Sequence, residues 1–164
     1  MGAPKSIREL FCCIVLTCCL AFGGIAAASA QSTAPLSKGQ VIYVPVYSHI
    51  YIGDRERPFL LAVTLSIRNT DRNNPITVQK AVYYDSNGRR LEDYLKAPKK
   101  LEQLSAVRFV VHESDVAGGS GASFIVEWTS DKAVSPPIIE SVMIGTQTQQ
   151  GISFTSRGQV VEEK

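Results

Sequence analysis

From Gln40 onward, apolar and polar residues alternate along the chain with a period of two. The segment LLAVTLSIRN places four aliphatic residues on one face and smaller or polar residues on the other: Leu61, Val63, Leu65 and Ile67. Strands that bury one face show this alternation, whereas amphipathic helices repeat their apolar residues every three or four positions. No segment has a convincing helical repeat. The pattern therefore predicts β-strands, with these four residues in the core.

Further strands are predicted wherever the same alternation recurs between turn signals. They fall in ITVQKAVYYD, LSAVRFVV, ASFIVEWTS and IIESVMIG, with a short strand through Phe154, beyond which we expect the tail to fray. The segments TDRNNP, DSNGRR with its Asn87-Gly88 hairpin pair, and DKAVSPP are turn signals. About seven short strands at this spacing predict an all-β, antiparallel, immunoglobulin-like β-sandwich, with a small β-barrel as the alternative. Trp128 then belongs to the core.

The first thirty residues form a different kind of segment. Lys5 and Arg8 precede an uncharged run, LFCCIVLTCCLAFGGIAAASA, that closes on a small-x-small pattern. These are the parts of a secretory signal peptide, which we expect to be cleaved after Ala30. Residues 31–39 would then be a polar leader and residues 40–164 a single β-sandwich domain. The run is also long enough to span a bilayer, so an uncleaved anchor, the only membrane contact we expect, is the alternative.

The amino-acid composition limits the cellular compartment and the classes of partner that we expect. All four cysteines lie within the signal segment, so the mature domain would have no disulfide and no thiolate metal site. Export without disulfides favours a bacterial envelope, with a periplasmic or secreted protein. Removing residues 1–30 takes two of the 17 basic and one of the 15 acidic residues, which leaves 15 and 14. The charges are interspersed and the two histidines lie in no metal motif, so we expect no cofactor, no metal and no nucleic acid.

The stretch HESDVAGGSGASFIVEW contains the residue types of a catalytic triad. Ser120 lies among three glycines, with His112 as a candidate base and Asp115 as the acid that orients it. A nucleophile elbow, however, turns from a strand into a helix, and the residues after Ser120 have the pattern of a strand. We therefore interpret the stretch as a conformationally demanding loop between strands and as a candidate binding loop. A small serine hydrolase using these three residues is the alternative.

The first strand provides the stronger site candidate. If YVPVYSHIY is a regular strand, its aliphatic residues face the core. Its other face then carries Tyr43, Pro45, Tyr47, His49 and Tyr51. Pro45 cannot donate a ladder hydrogen bond, which places the strand at a sheet edge or a bulge. An edge with outward tyrosines and a histidine can add a partner strand or stack on a sugar. We expect a protein or glycan of the cell envelope as the partner.

Five segments taken together resemble a family of exported bacterial proteins known only as a domain of unknown function: YVPVYSHIYIGD, TLSIRNTD, YYDSNGRRLEDYL, SDVAGGSGASFIVEW and IIESVMIGTQTQQGISFTSRG. The resemblance covers residues 40–160. Family members typically carry a signal peptide or a lipoprotein signal, and this chain departs from the lipoprotein form. The resemblance brings no activity and no catalytic residues. It implies that the glycine loop and the tail are family features, with Ser153, Ser156 and Arg157 as polar candidates. We expect a non-enzymatic binding or structural module.

Overall fold

The structure, a computed structural model, describes residues 35–147 and 151–164, and the signal segment predicted for residues 1–30 lies outside them. All regular secondary structure in the described residues is β-strand, and none of them belongs to a helix that could cross a membrane. The strands are β1 (Ser37–Pro45), β2 (His49–Ile52), β3 (Arg57–Leu60), β4 (Ala62–Arg68), β5 (Ile76–Tyr84), β6 (Arg90–Asp93), β7 (Lys99–Leu101), β8 (Ala106–Val111), β9 (Ser123–Val134), β10 (Ile138–Gly145), β11 (Ile152–Arg157) and β12 (Gln159–Glu163). Strand β1 thus includes three residues that we had expected in the polar leader.

Two antiparallel sheets account for ten of these strands. The large sheet has the order β12-β1-β9-β5, with β6 and β7 both paired to the far edge of β5, and the small sheet has the order β11-β10-β4-β8. The remaining two strands, β2 and β3, form a separate hairpin. Neither sheet closes on itself in the described residues. The predicted β-sandwich is confirmed, and the alternative of a small barrel is wrong.

The core lies between the two sheets and follows the alternation of the sequence. Leu61, Val63, Leu65 and Ile67 are all fully buried, and they belong to one apolar cluster with Phe124 and other residues of the large sheet. Trp128 is fully buried in the same cluster, as predicted. Burial of large side chains of this kind contributes about 1.5–3 kcal/mol each relative to an exposed position, so this cluster is the main source of stability.

The central strands have the order of an immunoglobulin sandwich. Such sandwiches place strands A-B-E-D in one sheet and G-F-C in the other. Here β1, β9 and β5 occupy positions B, E and D, while β4, β10 and β11 occupy positions C, F and G. Two features differ: β12 replaces strand A beside β1, and β8 is added beside β4. The immunoglobulin-like prediction is therefore confirmed for six central strands, and short additional strands raise the total above the seven expected.

The first strand is not regular over the length that we had expected. It ends at Pro45, because the backbone of Ser48 leaves the ladder: its N–H donates to Gly119 O at 3.0 Å and its carbonyl accepts from Leu61 N at 2.9 Å. Strand β1 also lies between two neighbours, not at an edge. Pro45 itself pairs with Ser123 of β9 and lies beyond Tyr43, the last residue that pairs with β12. Its missing N–H therefore costs no ladder bond.

The tail does not fray after Phe154. It continues through β11, and Gly158 then donates its N–H to Ile139 O as the chain crosses to the large sheet. There β12 pairs with residues 40–43 of β1. The Gln40 side-chain amide donates to a Glu163 carboxylate oxygen at 2.6 Å, which fixes the end of β12. The prediction of a frayed tail is wrong, because the partner strand lies far away in the sequence.

Candidate functional site

Four chain connections meet at one end of the sandwich. They are residues 46–61, which include the β2–β3 hairpin, residues 85–89 and 112–122, and the described residues 146, 147 and 151 between β10 and β11. The strand pairs that place them together are Pro45 with Ser123, Ser123 with Tyr84, and Ala62 with Ile144. We call this the loop end. In immunoglobulin-type domains, loops at one end of the sandwich are the usual recognition surface.

The glycine loop, residues 117–122, is held from two sides by serines. Ser86 of the β5–β6 turn donates its hydroxyl to Gly118 O at 2.9 Å and accepts the N–H of Gly121 at 2.9 Å. On the other side, the Ser48 N–H donates to Gly119 O. Three connections are thus joined by direct hydrogen bonds. The loop is fixed by its neighbours and forms a preorganised part of the loop end.

Close packing explains two of the glycines. Tyr83 is 1% exposed, and its hydroxyl lies 2.8 Å from Ser48 Oγ beneath the loop. A Cβ at Gly118 would overlap that phenol oxygen, and Gly119 has φ of +79°, where a side chain is strained. Burial raises the pKa of the Tyr83 phenol above its ordinary value. The loop is conformationally demanding, as the sequence predicted.

The three residues of the hydrolase alternative do not form a linked triad. No hydrogen bond joins Ser120 Oγ to His112 or Asp115 among the described residues. The Asp115 carboxylate accepts the N–H of Ala117 at 2.9 Å, and its own N–H donates to His112 O. Strand β9 follows the loop at Ser123, with no helix between them. The arrangement thus lacks both the base contact and the strand-to-helix turn that an activated serine needs.

The β2–β3 hairpin presents aromatic and charged side chains at the loop end. Tyr51 is 55% exposed, and the edge of its ring meets the His49 ring with centroids 5.1 Å apart. The His49 Nε2 lies 3.3 Å from the Tyr51 hydroxyl, while its Nδ1 is buried without a hydrogen-bond partner among the described residues. The hairpin tip, residues 53–57, has the exposed sequence GDRER with charges of both signs. Its inner face is fixed by Phe59, which is 2% exposed.

A shallow cleft lies beside the hairpin and takes residues from three of the four connections. It is lined by Leu60, His112, Glu113, Ser114, Thr146 and Gln147. One carboxylate oxygen of Glu113 is buried and has no hydrogen-bond partner within the described residues. The Gln147 side-chain oxygen accepts the N–H of Leu60 at 3.3 Å and links the hairpin to the neighbouring connection. The cleft is therefore formed jointly by the hairpin and its two neighbouring connections.

The structure separates the remaining candidates. Tyr47 is partly buried, with its ring centroid 5.8 Å from that of Phe154, so it serves packing. Tyr43 lies on the outer face of the large sheet and is 37% exposed. Arg157 is exposed at the end of β11, opposite Glu140, far along the strand from the loop end. Of the predicted site residues, the structure brings Tyr47 to the loop end as a packing residue. It also brings there, with exposed or partly exposed side chains that are free of this packing role, His49, Tyr51, His112, Asp115 and Ser120.

Sequence reasoning missed the residues that assemble this end. Ser48, Ser86 and Tyr83 make the contacts described above, yet each is an ordinary serine or strand tyrosine in the sequence. The partners of their side chains lie 32 to 35 residues away along the chain, so no local pattern could have indicated them. No group of three or more His, Cys, Asp or Glu residues that could hold a metal ion occurs in residues 35–147 and 151–164.

A family model described as "Protein of unknown function (DUF3124)" matches residues 39–161. The chain belongs to this family. The match confirms the resemblance to a domain of unknown function, and the DUF3124 description itself names no activity. No curated protein matches this DUF3124 chain. Among solved structures, it is similar to one described as "Crystal Structure of Thermotoga maritima 1070", with 8% identity, a TM-score of 0.45, and coverage of 78% of this chain and 97% of the other.

Proposed function

We propose that this DUF3124 protein is an exported, non-enzymatic binding module of the bacterial cell envelope that recognises a protein or glycan partner through its loop end. The observation that carries the proposal is the hairpin. It holds an exposed Tyr51 against its His49 neighbour, and His49 pairs with Leu60, which lines the neighbouring cleft. Exposed tyrosines on a rigid support are typical recognition residues, because they bury large area at little entropic cost.

The charges of the hairpin tip favour a protein over a neutral glycan at this surface. Asp54, Arg55, Glu56 and Arg57 are all exposed, with two charges of each sign. Such a mixed pattern can pair with complementary side chains and fix the orientation of a protein partner. The hydrogen bonds of Ser48 and Ser86 keep the loop end in place before binding, which lowers the entropic cost of association.

Site-specific photocrosslinking in the native envelope tests the binding surface. A photoreactive residue at Tyr51 is expected to give a discrete adduct, and the same residue at Leu104 is the matched control. Leu104 is 67% exposed and lies between β7 and β8 at the opposite end of the sandwich. The Tyr51→Ala substitution should weaken binding of the purified partner by about tenfold or more, as for an interface anchor. The same adduct from both positions, or none from position 51, would sink the proposal.

Export is tested separately. Amino-terminal sequencing of the protein recovered from the envelope should begin at Gln31, immediately after the expected cleavage site. If the chain retains its apolar segment and is recovered with the membrane, the protein is anchored and not secreted. Recovery only from the cytoplasm would contradict export altogether.

A further inference from the structure

The small sheet has an open edge at β8, which pairs with β4 and with no other strand of the described residues. Native edge strands usually carry proline, charged side chains or bulges, because these features prevent pairing with other chains. Strand β8, AVRFVV, has no proline, its pairing has no bulge, and its one charged residue is Arg108. At the open edge of the large sheet, by contrast, β12 carries Glu162 and Glu163 and pairs irregularly with β1. Strand β8 is therefore suited to accept a further strand.

The backbone of β8 leaves hydrogen-bonding groups open along this edge. Just before the strand, the Asn69 N–H donates to Ser105 O at 2.9 Å, which sets the phase of the ladder with β4. Bonded and non-bonded pairs alternate in an antiparallel ladder, so every second residue from Ser105 onward bonds to β4. The N–H and C=O groups of the residues between them point to the open side: Ala106, Arg108 and Val110. No backbone hydrogen bond from another loop or strand reaches these groups within the described residues.

The two faces of β8 differ in chemistry. Val107 and Phe109 pack against the core but remain partly exposed, because no further strand continues the sheet beside them. The Phe109 ring contacts that of Tyr94, with centroids 6.1 Å apart. On the outer face, Arg108 and Val110 are exposed. A strand added at this edge would bury apolar side chains on its inner face, while its outer side chains would meet Arg108.

The outer face of this edge is basic. Arg108 lies opposite Ser66, and Arg68 lies diagonally next to it. Neither β4 nor β8 contains an aspartate or a glutamate. Arg68 lies 3.7 Å from Glu140 of β10, whereas Arg108 takes part in none of the ion pairs among the described residues. An acidic side chain opposite Arg108 would complete a cross-strand pair, and a basic one would add a further like charge.

A second copy of the chain fits this edge poorly. In the two antiparallel registers that overlap most residues, self-pairing of β8 brings the Arg108 side chains of both copies directly or diagonally opposite each other on one face. Like charges in these positions destabilise a strand pair. The same arginine favours a strand that carries an acidic side chain opposite it. The edge therefore favours a different, acidic chain.

We propose that β8 binds an extended acidic segment of a protein partner as an additional antiparallel strand. Its main chain bonds to the open groups of Ala106, Arg108 and Val110, its apolar residues pack beside Val107 and Phe109, and its acidic residues face Arg108. In such strand addition the main-chain bonds supply affinity and the alternating side chains supply specificity. The site does not use the β2–β3 hairpin, so this inference and the proposed function can fail separately.

Nuclear magnetic resonance titration of the purified ¹⁵N-labelled protein tests the inference with the synthetic peptide Ac-TVEVEVT-NH2. This peptide should give saturable shifts of the amides in residues 105–112, and the control Ac-TVKVKVT-NH2 should bind about tenfold or more weakly. Absence of saturable shifts in residues 105–112, shifts confined to β11 or to residues 49–60, or equal affinity for both peptides would overturn the inference. A dimer that forms through residues 105–112 without peptide would also overturn it, in favour of a second copy.

Two N-methylated forms of the acidic peptide test the strand geometry on the wild-type protein. With the glutamates on the outer face, their N–H groups point to β8 in an antiparallel pair, and those of the valines point away. N-methylation of both glutamates should therefore weaken binding by about tenfold or more. N-methylation of the central valine should leave the affinity unchanged. An equal loss for both forms, or the reverse pattern, contradicts the proposed pairing.

Charge reversal in the protein tests the role of Arg108. The Arg108→Glu variant should bind Ac-TVEVEVT-NH2 about tenfold or more weakly and should prefer Ac-TVKVKVT-NH2. Arg157→Glu is the matched control, because this exposed arginine lies on β11 at the other edge of the small sheet and should leave both affinities unchanged. An unchanged preference in folded Arg108→Glu contradicts the proposed contact, and the N-methylated peptides keep the test open if this variant does not fold.

Discussion

The Gly118→Ala substitution is expected to destabilise the protein by about 2–4 kcal/mol. The added Cβ would overlap the Tyr83 phenol oxygen and would lie 2.7 Å from Ser48 Oγ. The loop must withdraw, and the hydrogen bond between these two hydroxyls breaks as it does. The broken bond leaves two buried hydroxyls unsatisfied, at a cost of about 1–3 kcal/mol. Displacement of the loop adds about 1 kcal/mol, the lower end of the cost of overpacking in other cores.

Urea unfolding followed by the fluorescence of the single tryptophan measures this effect, because Trp128 is fully buried. With a slope of about 1–3 kcal/mol per molar urea, the midpoint should fall by about 1–2 M. Gly121→Ala is the matched control in the same loop: its Cβ would lie 3.4 Å from Ser86 Oγ, an ordinary contact. It should change stability by no more than about 0.5 kcal/mol.

A double-mutant cycle separates the clash from a general effect on the loop. Tyr83→Phe removes the phenol oxygen that the new methyl group would meet. The double variant Gly118→Ala, Tyr83→Phe should therefore cost less than the sum of the two single variants. Equal urea midpoints for Gly118→Ala and Gly121→Ala, or strictly additive effects in the cycle, would refute the reasoning.

Three further predictions concern the loop end and the ionisable groups. Ser120→Ala and the wild type should hydrolyse p-nitrophenyl acetate no faster than buffer, and a rate that depends on this serine would revive the hydrolase. Burial raises the pKa of Tyr83 and Tyr94, so their contribution to stability is complete below the unfolded pKa of about 10 and is lost as the pH rises through the folded pKa. Titration of the tyrosine absorbance with pH should show that these two of the six tyrosines ionise only when the protein unfolds. Ionisation of all six tyrosines together in the folded state would contradict the packing of Tyr83 and Tyr94. Hydrogen bonds from the Arg89 and Asn87 amides hold the pKa of Asp85 below its ordinary value. The resulting stability is present above the unfolded pKa of about 3.9 and is lost as the pH falls through the folded pKa. The Asp85→Asn variant should therefore lose less stability in acid than the wild type does. If the urea midpoints of the two proteins fall equally with decreasing pH, this prediction is contradicted.

The core could be predicted from the sequence because burial of one strand face leaves a local pattern. The alternation from Leu61 to Ile67 and around Trp128 required no knowledge of the partner strands. Irregular pairing leaves no such pattern. In β5, the pairing with β9 shifts between Val78 and Lys80, so the buried face changes phase within one strand. The end of β1 likewise depends on bonds to residues distant in the chain.

The site could be predicted only as separate segments. The sequence indicated that the tyrosine-rich strand and the glycine loop were unusual, and the structure places parts of both at one end. The sequence could not show that Tyr43 and Tyr51 would lie on different surfaces, because the break in the strand near Ser48 depends on tertiary hydrogen bonds.

The position of β12 has a consequence for how the chain reaches its native state. Strand β1 is synthesised early, but its two neighbours come late: Gln40 and its partner Glu163 are 123 residues apart. Contacts over such separations require loop closure first, and folding on the millisecond-to-second scale is typical of this topology. During that interval β1 presents open backbone groups on both sides, which can template pairing between nascent chains. The hazard of aggregation is therefore greatest before residues 159–163 dock, and it ends when they cover the β1 edge.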